Sequence, residues 1–196
     1  MKALMMDWGE RLVLLALFGL FAFANLRSGD PVNMGILVGE AATAFFVLTR
    51  RQAISITERP MDWVLAFAGT LLPLLIRPGG EALVGWPAGV LITGGTVVAL
   101  AAKLSLNRRF GIAPANRGVQ SGWAYALVRH PMYLGYMIAQ VGYILHNASA
   151  WNLGLYALAW CFQVMRITLE ERHLMLDEAY RDYAGRVKSR LIPGVY

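Results

Sequence analysis

ALVGWPAGVLITGGTVVALAAKLSLNRRF, residues 82–110, runs for 21 residues without a charge and then meets Lys103, Arg108 and Arg109. That length matches the ~20 apolar residues a helix needs to cross the hydrocarbon core of a bilayer. A basic cluster directly after such a run is what membrane insertion leaves on the cytoplasmic side. Five further apolar segments lie around this one, at roughly 11–27, 33–49, 61–77, 131–147 and 150–169. The expected fold class is all-α: an integral membrane bundle of five to six transmembrane segments with a C-terminal amphipathic helix.

Composition agrees with that reading. Of 196 residues, 57% are hydrophobic and 15% charged, against about 25% charged in soluble domains. The net charge of +6 sits in loops beside apolar runs, so membrane insertion explains it and no nucleic-acid partner is expected. Cys161 is the only cysteine, which excludes an intrachain disulfide. The run Leu12–Leu26 lacks a small-residue cleavage site and reads as a first membrane helix rather than a signal peptide.

Loop charges predict orientation. Arg50, Arg51 and Arg59 follow the second segment; Lys103, Arg108, Arg109, Arg117 and Arg129 follow the fourth; Arg172, Arg181, Arg186, Lys188 and Arg190 follow the sixth. Six spans put both termini and every basic loop in the cytoplasm. Segment 131–147 is the weakest candidate for a full span. As half of a hairpin with the sixth segment it would leave five full spans. Gly35-x3-Gly39 and Gly85-x3-Gly89 predict close helix packing. Glu40 is an acid deep within a span, for which a structural hydrogen bond to another helix is the favoured role. In Glu170–Arg190, Leu174, Tyr180, Tyr183 and Val187 fall at helical spacing among charges, predicting an amphipathic helix at the cytoplasmic interface.

Polar chemistry concentrates after residue 103. In VRHPMYLG, residues 128–135, Pro131 suits a first helical turn. His130 then sits at the helix entry, where free N–H groups and the dipole favour an anion such as a carboxylate. Tyr133 offers a ring face and a hydroxyl, and Gly135 admits a ligand or helix close to the backbone. Gln163, Arg166 and Glu170 share one helix face. The bland reading is an interfacial belt and a snorkelling arginine; the sharper one joins His130, Tyr133, Arg166 and Glu170 in a polar cleft at the membrane surface. There is no G-x-G-x-x-G after a strand, no P-loop and no H-E-x-x-H. Three scattered histidines make no metal site.

Four elements in order carry a resemblance: Arg129-His130-Pro131-x-Tyr133-x-Gly135, Arg166-x3-Glu170-Glu171, Tyr180-x2-Tyr183 and Arg190-x-Ile192-Pro193-Gly194. Over roughly 103–196 the chain resembles the isoprenylcysteine carboxyl methyltransferase family, related to the phospholipid methyltransferases, as a short, bacterial-type member. The resemblance implies a catalytic half, 103–196, of basic loop, helical hairpin and interfacial helix, behind four N-terminal transmembrane helices in 1–102. It implies S-adenosyl-L-methionine as cofactor, in a pocket on the cytoplasmic side. Residues implied to line it are Arg117, Gly118, Val119, Tyr125, His130, Pro131, Met132, Tyr133 and Glu170. Arg166 would hold the substrate, a lipophilic, isoprenylcysteine-like acceptor reached from the bilayer, and Arg166 and Glu170 would be the catalytic pair. A second reading is N- or S-methylation of a phospholipid or other small molecule. A third is a non-enzymatic membrane protein keeping the fold. The acceptor and the oligomeric state do not follow from the sequence.

Overall fold

Proline and capping residues set the helix starts where the sequence places them. The computed structural model describes residues 2–28, 41, 44–77 and 80–195. Helix α1 is Lys2–Ser28, and residues 44–49 form the described end of α2. Helix α3, Pro60–Leu71, has proline in its first turn and passes into a 3-10 turn, Leu72–Leu75, around Pro73. Helix α4 is Trp86–Leu106 and α5 is Pro131–His146, each again with proline in the first turn. Ser149 caps α6, Ala150–Leu174, by accepting from the Asn152 N–H, and Asp177 caps α7, Glu178–Arg186, by accepting from Ala179 N–H. These starts follow from missing or satisfied N–H groups in the first turn.

The protein is mostly helical. Two strands, β1 at Ser55–Ile56 and β2 at Ala115–Asn116, pair antiparallel. Among the described residues one helix, Trp86–Arg109, is long and apolar enough to cross a membrane by length and composition. Helix α6 has the length, but Asn152, Gln163, Arg166, Glu170 and Glu171 interrupt it. With 16 residues, α5 spans about 24 Å at ~1.5 Å per residue, less than the ~30 Å of a hydrocarbon core. Residues 147–149 join it to α6 as a hairpin. Most of segment 33–49, with Glu40, Gly35 and Gly39, lies outside the described residues.

Helices α4 and α5 meet backbone to backbone, but not through the glycines the sequence suggested. Nothing lies within 4 Å of a Cβ built on Gly85 or Gly89. The contact runs instead through Gly95, where a Cβ would fall 2.3 Å from Ala139 N, and Gly135, where it would fall 2.4 Å from Ala99 N. Small-x3-small spacing is right; the register is ten residues further along α4, because Gly85 precedes the helix and Gly89 faces outward.

The C-terminal segment also departs from expectation. Glu170–Leu174 continue α6, a turn follows, and α7 is separate. Leu174, Tyr180, Tyr183 and Val187 pack against Phe110, Ile112, Tyr125 and Met132 in the protein's own core. The apolar face predicted to lie on lipid is covered by protein.

Two ends of the bundle differ in chemistry. At one end Asn152, fully buried, takes the Arg77 N–H and donates to the Arg77 and Asn147 carbonyls. At the other, the loop 107–130, residues 50–57 and the C-terminal segment are stitched together. Arg51 N–H donates to Arg108 O, β1 pairs β2, and Arg129 and His130 N–H groups donate to Ser189 and Arg190 carbonyls. The basic loops of the sequence therefore gather at one end, where the site is built.

Candidate active site

Adjacent glutamates at the end of α6 point about 100° apart, as helix geometry requires, and do different work. Glu171 is buried and collects three partners. Its Oε1 accepts from Arg129 Nε at 2.6 Å and meets His130 Nε2 at 3.1 Å; its Oε2 accepts from Arg190 Nε at 2.7 Å. Burial raises a carboxyl pKa, but the hydrogen bonds from His130 and Arg129 outweigh it and hold Glu171 down to about 2. Arg129 is further satisfied by the Val187 and Lys188 carbonyls. Both Arg129 and His130 face a cleft, His130 as the sequence suggested, yet their bonds go inward. They form its wall and fix the entry of α5.

Glu170 faces a narrow, partly open cleft of about 70 Å³. Its Oε2 accepts from the Tyr133 hydroxyl at 3.1 Å. The cleft is lined by Arg117, Gly118, Val119, Tyr125, His130, Met132, Tyr133 and Glu170, all expected from the sequence. Pro131 is buried at the start of α5 without lining it. Arg109, Leu174, Tyr180 and Tyr183 also line it. Burial pushes the Tyr183 phenol up to about 12, and burial with the neighbouring glutamates pushes Tyr125 and Tyr180 up as well. All three stay protonated as donors. Tyr183 donates to the Tyr125 carbonyl at 2.7 Å. Three donors of this wall are buried and unpartnered among the described residues: Arg109 Nε, Arg117 Nε and the Tyr180 hydroxyl. Each unmade buried bond costs roughly 1–3 kcal/mol. The cleft therefore suits a polar ligand with several acceptors, and Glu170 among tyrosine faces suits a positive charge on it.

Arg166 does not enter this cleft. It lines a second chamber, of about 140 Å³, with Gly69, Thr70, Phe110, Ile112, Gln140 and Gln163. Its Nη1 donates to the Thr70 hydroxyl at 3.0 Å and its Nη2 to the Ile112 carbonyl at 2.8 Å. The guanidinium lies over the Tyr133 ring at 5.3 Å. Met132 and Tyr133 belong to both chambers. The single cleft expected for His130, Tyr133, Arg166 and Glu170 is thus two chambers with Tyr133 in the shared wall.

The rest of that wall is loop 110–117, and it alternates. Gly111, Ala113, Ala115 and Arg117 line the first chamber; Phe110 and Ile112 line the second. This is the period of extended chain, whose side chains point to opposite faces in turn. A Cβ on Gly111 would fall 2.3 Å from Arg117 Nη1, so only glycine lets the arginine fold back there. Gly118, at φ +94°, ends the run in a conformation that favours glycine. Sequence reasoning passed over Arg109, Tyr180 as a lining donor, and Glu171 as the hub. The Glu170-Glu171 pair was visible, but helix phase alone does not tell which of two neighbours faces a cavity.

Residues 87–182 match the model of the phospholipid methyltransferase family. No curated protein matches the chain. The matched region opens in the first turn of α4, the helix able to cross a membrane, and closes within α7, so it takes in Glu171, the dividing loop and all of the first chamber's lining but Tyr183, while Gly69, Thr70 and Pro73 of the second chamber lie outside it. Over those residues, just under half of the chain, the sequence is similar to the phospholipid methyltransferase family, which supports, in general terms, a membrane methyltransferase.

Proposed function

We propose that the chain is an S-adenosyl-L-methionine-dependent methyltransferase that carboxyl-methylates a lipophilic, isoprenylcysteine-like acceptor. The observation that carries this reading is the pair of chambers meeting at Met132 and Tyr133, one with an acid and unpartnered donors, the other with a single arginine. The donor supplies a methyl group on a positively charged sulfur. In the first chamber Glu170 and the tyrosine faces hold its positive part. Arg109, Arg117 and Tyr180 offer donors to its oxygens and nitrogens, and the α5 entry at His130 suits its carboxylate. In the second, Arg166 holds and orients the acceptor carboxylate against the shared wall. A carboxylate is already ionised at neutral pH, so no general base is required; the residues need only align the reacting atoms and keep water out. The basic end of the bundle, with both chambers, faces the cytoplasm in this reading, and the acceptor arrives from the bilayer.

Replacing Arg166 by alanine should raise the acceptor KM by roughly 10–100-fold, the loss of one charged hydrogen-bonding group, with donor affinity kept. An unchanged KM at low acceptor concentration would remove Arg166 from this role.

One observation favours a second reading, N-methylation of a phospholipid headgroup amine. The Tyr133 hydroxyl, in the shared wall, donates to Glu170, which gives an amine proton a path to a carboxylate. Product analysis with carboxylate, amine and thiol acceptors, side by side, separates the readings: only a methyl ester supports the first.

A further inference from the structure

The loop dividing the two chambers has no regular structure beyond β2, yet its middle is held by a side chain from the far end of the sequence. Glu10, on α1, is 1% exposed. Its Oε1 accepts from the backbone N–H groups of Ile112 at 2.7 Å and Ala113 at 3.1 Å. Its Oε2 accepts from Arg50 Nη2 at 3.0 Å and lies 3.7 Å from Arg117 Nη2. The peptide it grips is the one whose Ile112 carbonyl receives Arg166, and Arg117 lines the donor chamber. Asp7, one turn earlier on α1, pairs with Arg11, Arg50 and Arg117, so the guanidinium groups are anchored apart from Glu10.

We propose that Glu10 is the positioning residue of both chambers: it clamps the Ile112–Ala113 peptides, and through them sets the donor wall and the Arg166 guanidinium. The inference rests on the two-chamber methyltransferase reading. A carboxylate accepting two backbone N–H groups in a buried site is strongly held, because charge-assisted bonds are about twice as strong as neutral ones. Without it, two buried N–H groups that belong to no strand have no substitute. Ile112 and Ala113 would then turn away from the alternation that separates the chambers.

The test uses the full chain in lipid nanodiscs, with Glu10→Ala and Glu10→Gln beside wild type. Glutamine keeps a carbonyl oxygen for both N–H groups; alanine keeps none. Two quantities are measured: amide hydrogen exchange at Ile112 and Ala113, and calorimetric binding of S-adenosylhomocysteine as the donor probe. Expected are fast exchange at both amides in Glu10→Ala and at least about tenfold weaker binding. Glu10→Gln should restore protection and keep binding within about threefold. A general loss of fold would speed exchange everywhere and would not be rescued selectively by glutamine. Wild-type protection and affinity in Glu10→Ala would overturn the proposal, as would glutamine failing as badly as alanine. If wild type itself bound no probe while the exchange pattern held, the methyltransferase reading would fall and the clamp would stand.

Discussion

Glu171→Ala is expected to cost the fold about 3–5 kcal/mol, the range for removing one partner of a buried ion pair, while Glu170→Ala leaves thermal stability near wild type. The contrast between neighbours follows from their bonds. Glu171 holds Arg129, His130 and Arg190, and so ties the entry of α5 to the C-terminal segment whose carbonyls pair with residues 129 and 130. Removing it leaves Arg129, 8% exposed, as a buried cation without a carboxylate. Among the described residues Glu170 has one hydrogen bond, from Tyr133, and it faces a cleft. Thermal unfolding in one detergent compares the two directly; equal melting points would contradict the assignment. The pH dependence has a definite sign. Glu171 titrates in the folded protein at about 2, below the ordinary 4.5. Its contribution is therefore complete above the unfolded value and is lost as pH falls from about 4.5 through about 2. That part of the acid sensitivity should be absent from Glu171→Gln.

The second large effect separates two adjacent glycines. Gly95→Ala places a methyl 2.3 Å from Ala139 N and 2.6 Å from Gly135 O, both backbone atoms that no rotamer change can move. Overpacking of that kind costs typically 1–3 kcal/mol, and here relief requires α4 and α5 to part. Gly94→Ala has open space around the new Cβ and should stabilise α4 by about 0.5–1 kcal/mol, the helical advantage of alanine over glycine. Melting temperatures moving in opposite directions would support the α4–α5 contact. A neutral Gly95→Ala would contradict it.

The legible parts of the fold were those written in local patterns. Apolar runs placed α3 to α6, Pro131 marked the start of α5, and the Arg-His-Pro-x-Tyr and Arg-x3-Glu-Glu motifs supplied Arg129, His130, Tyr133 and Glu170 of the first chamber. What was not legible depends on pairing in three dimensions. Gly85-x3-Gly89 and Gly95-x3-Ala99 obey the same small-residue rule, and only the phase of α4 against α5 selects the second. The stripe of Leu174, Tyr180, Tyr183 and Val187 looks the same whether lipid or protein covers it; loop 103–130 decided for protein by folding back beneath it. Glu10 gave no signal at all, since its partners Ile112 and Ala113 are backbone groups more than a hundred residues away.

Titration calorimetry with S-adenosyl-L-methionine, on wild type and Glu170→Ala in detergent and in lipid, tests the proposed donor site at Glu170 and Tyr133 most directly. Saturable one-site binding, weakened at least about tenfold in a Glu170→Ala protein that melts like wild type, is the expected result. A well-folded wild-type sample that binds nothing in either medium would contradict it.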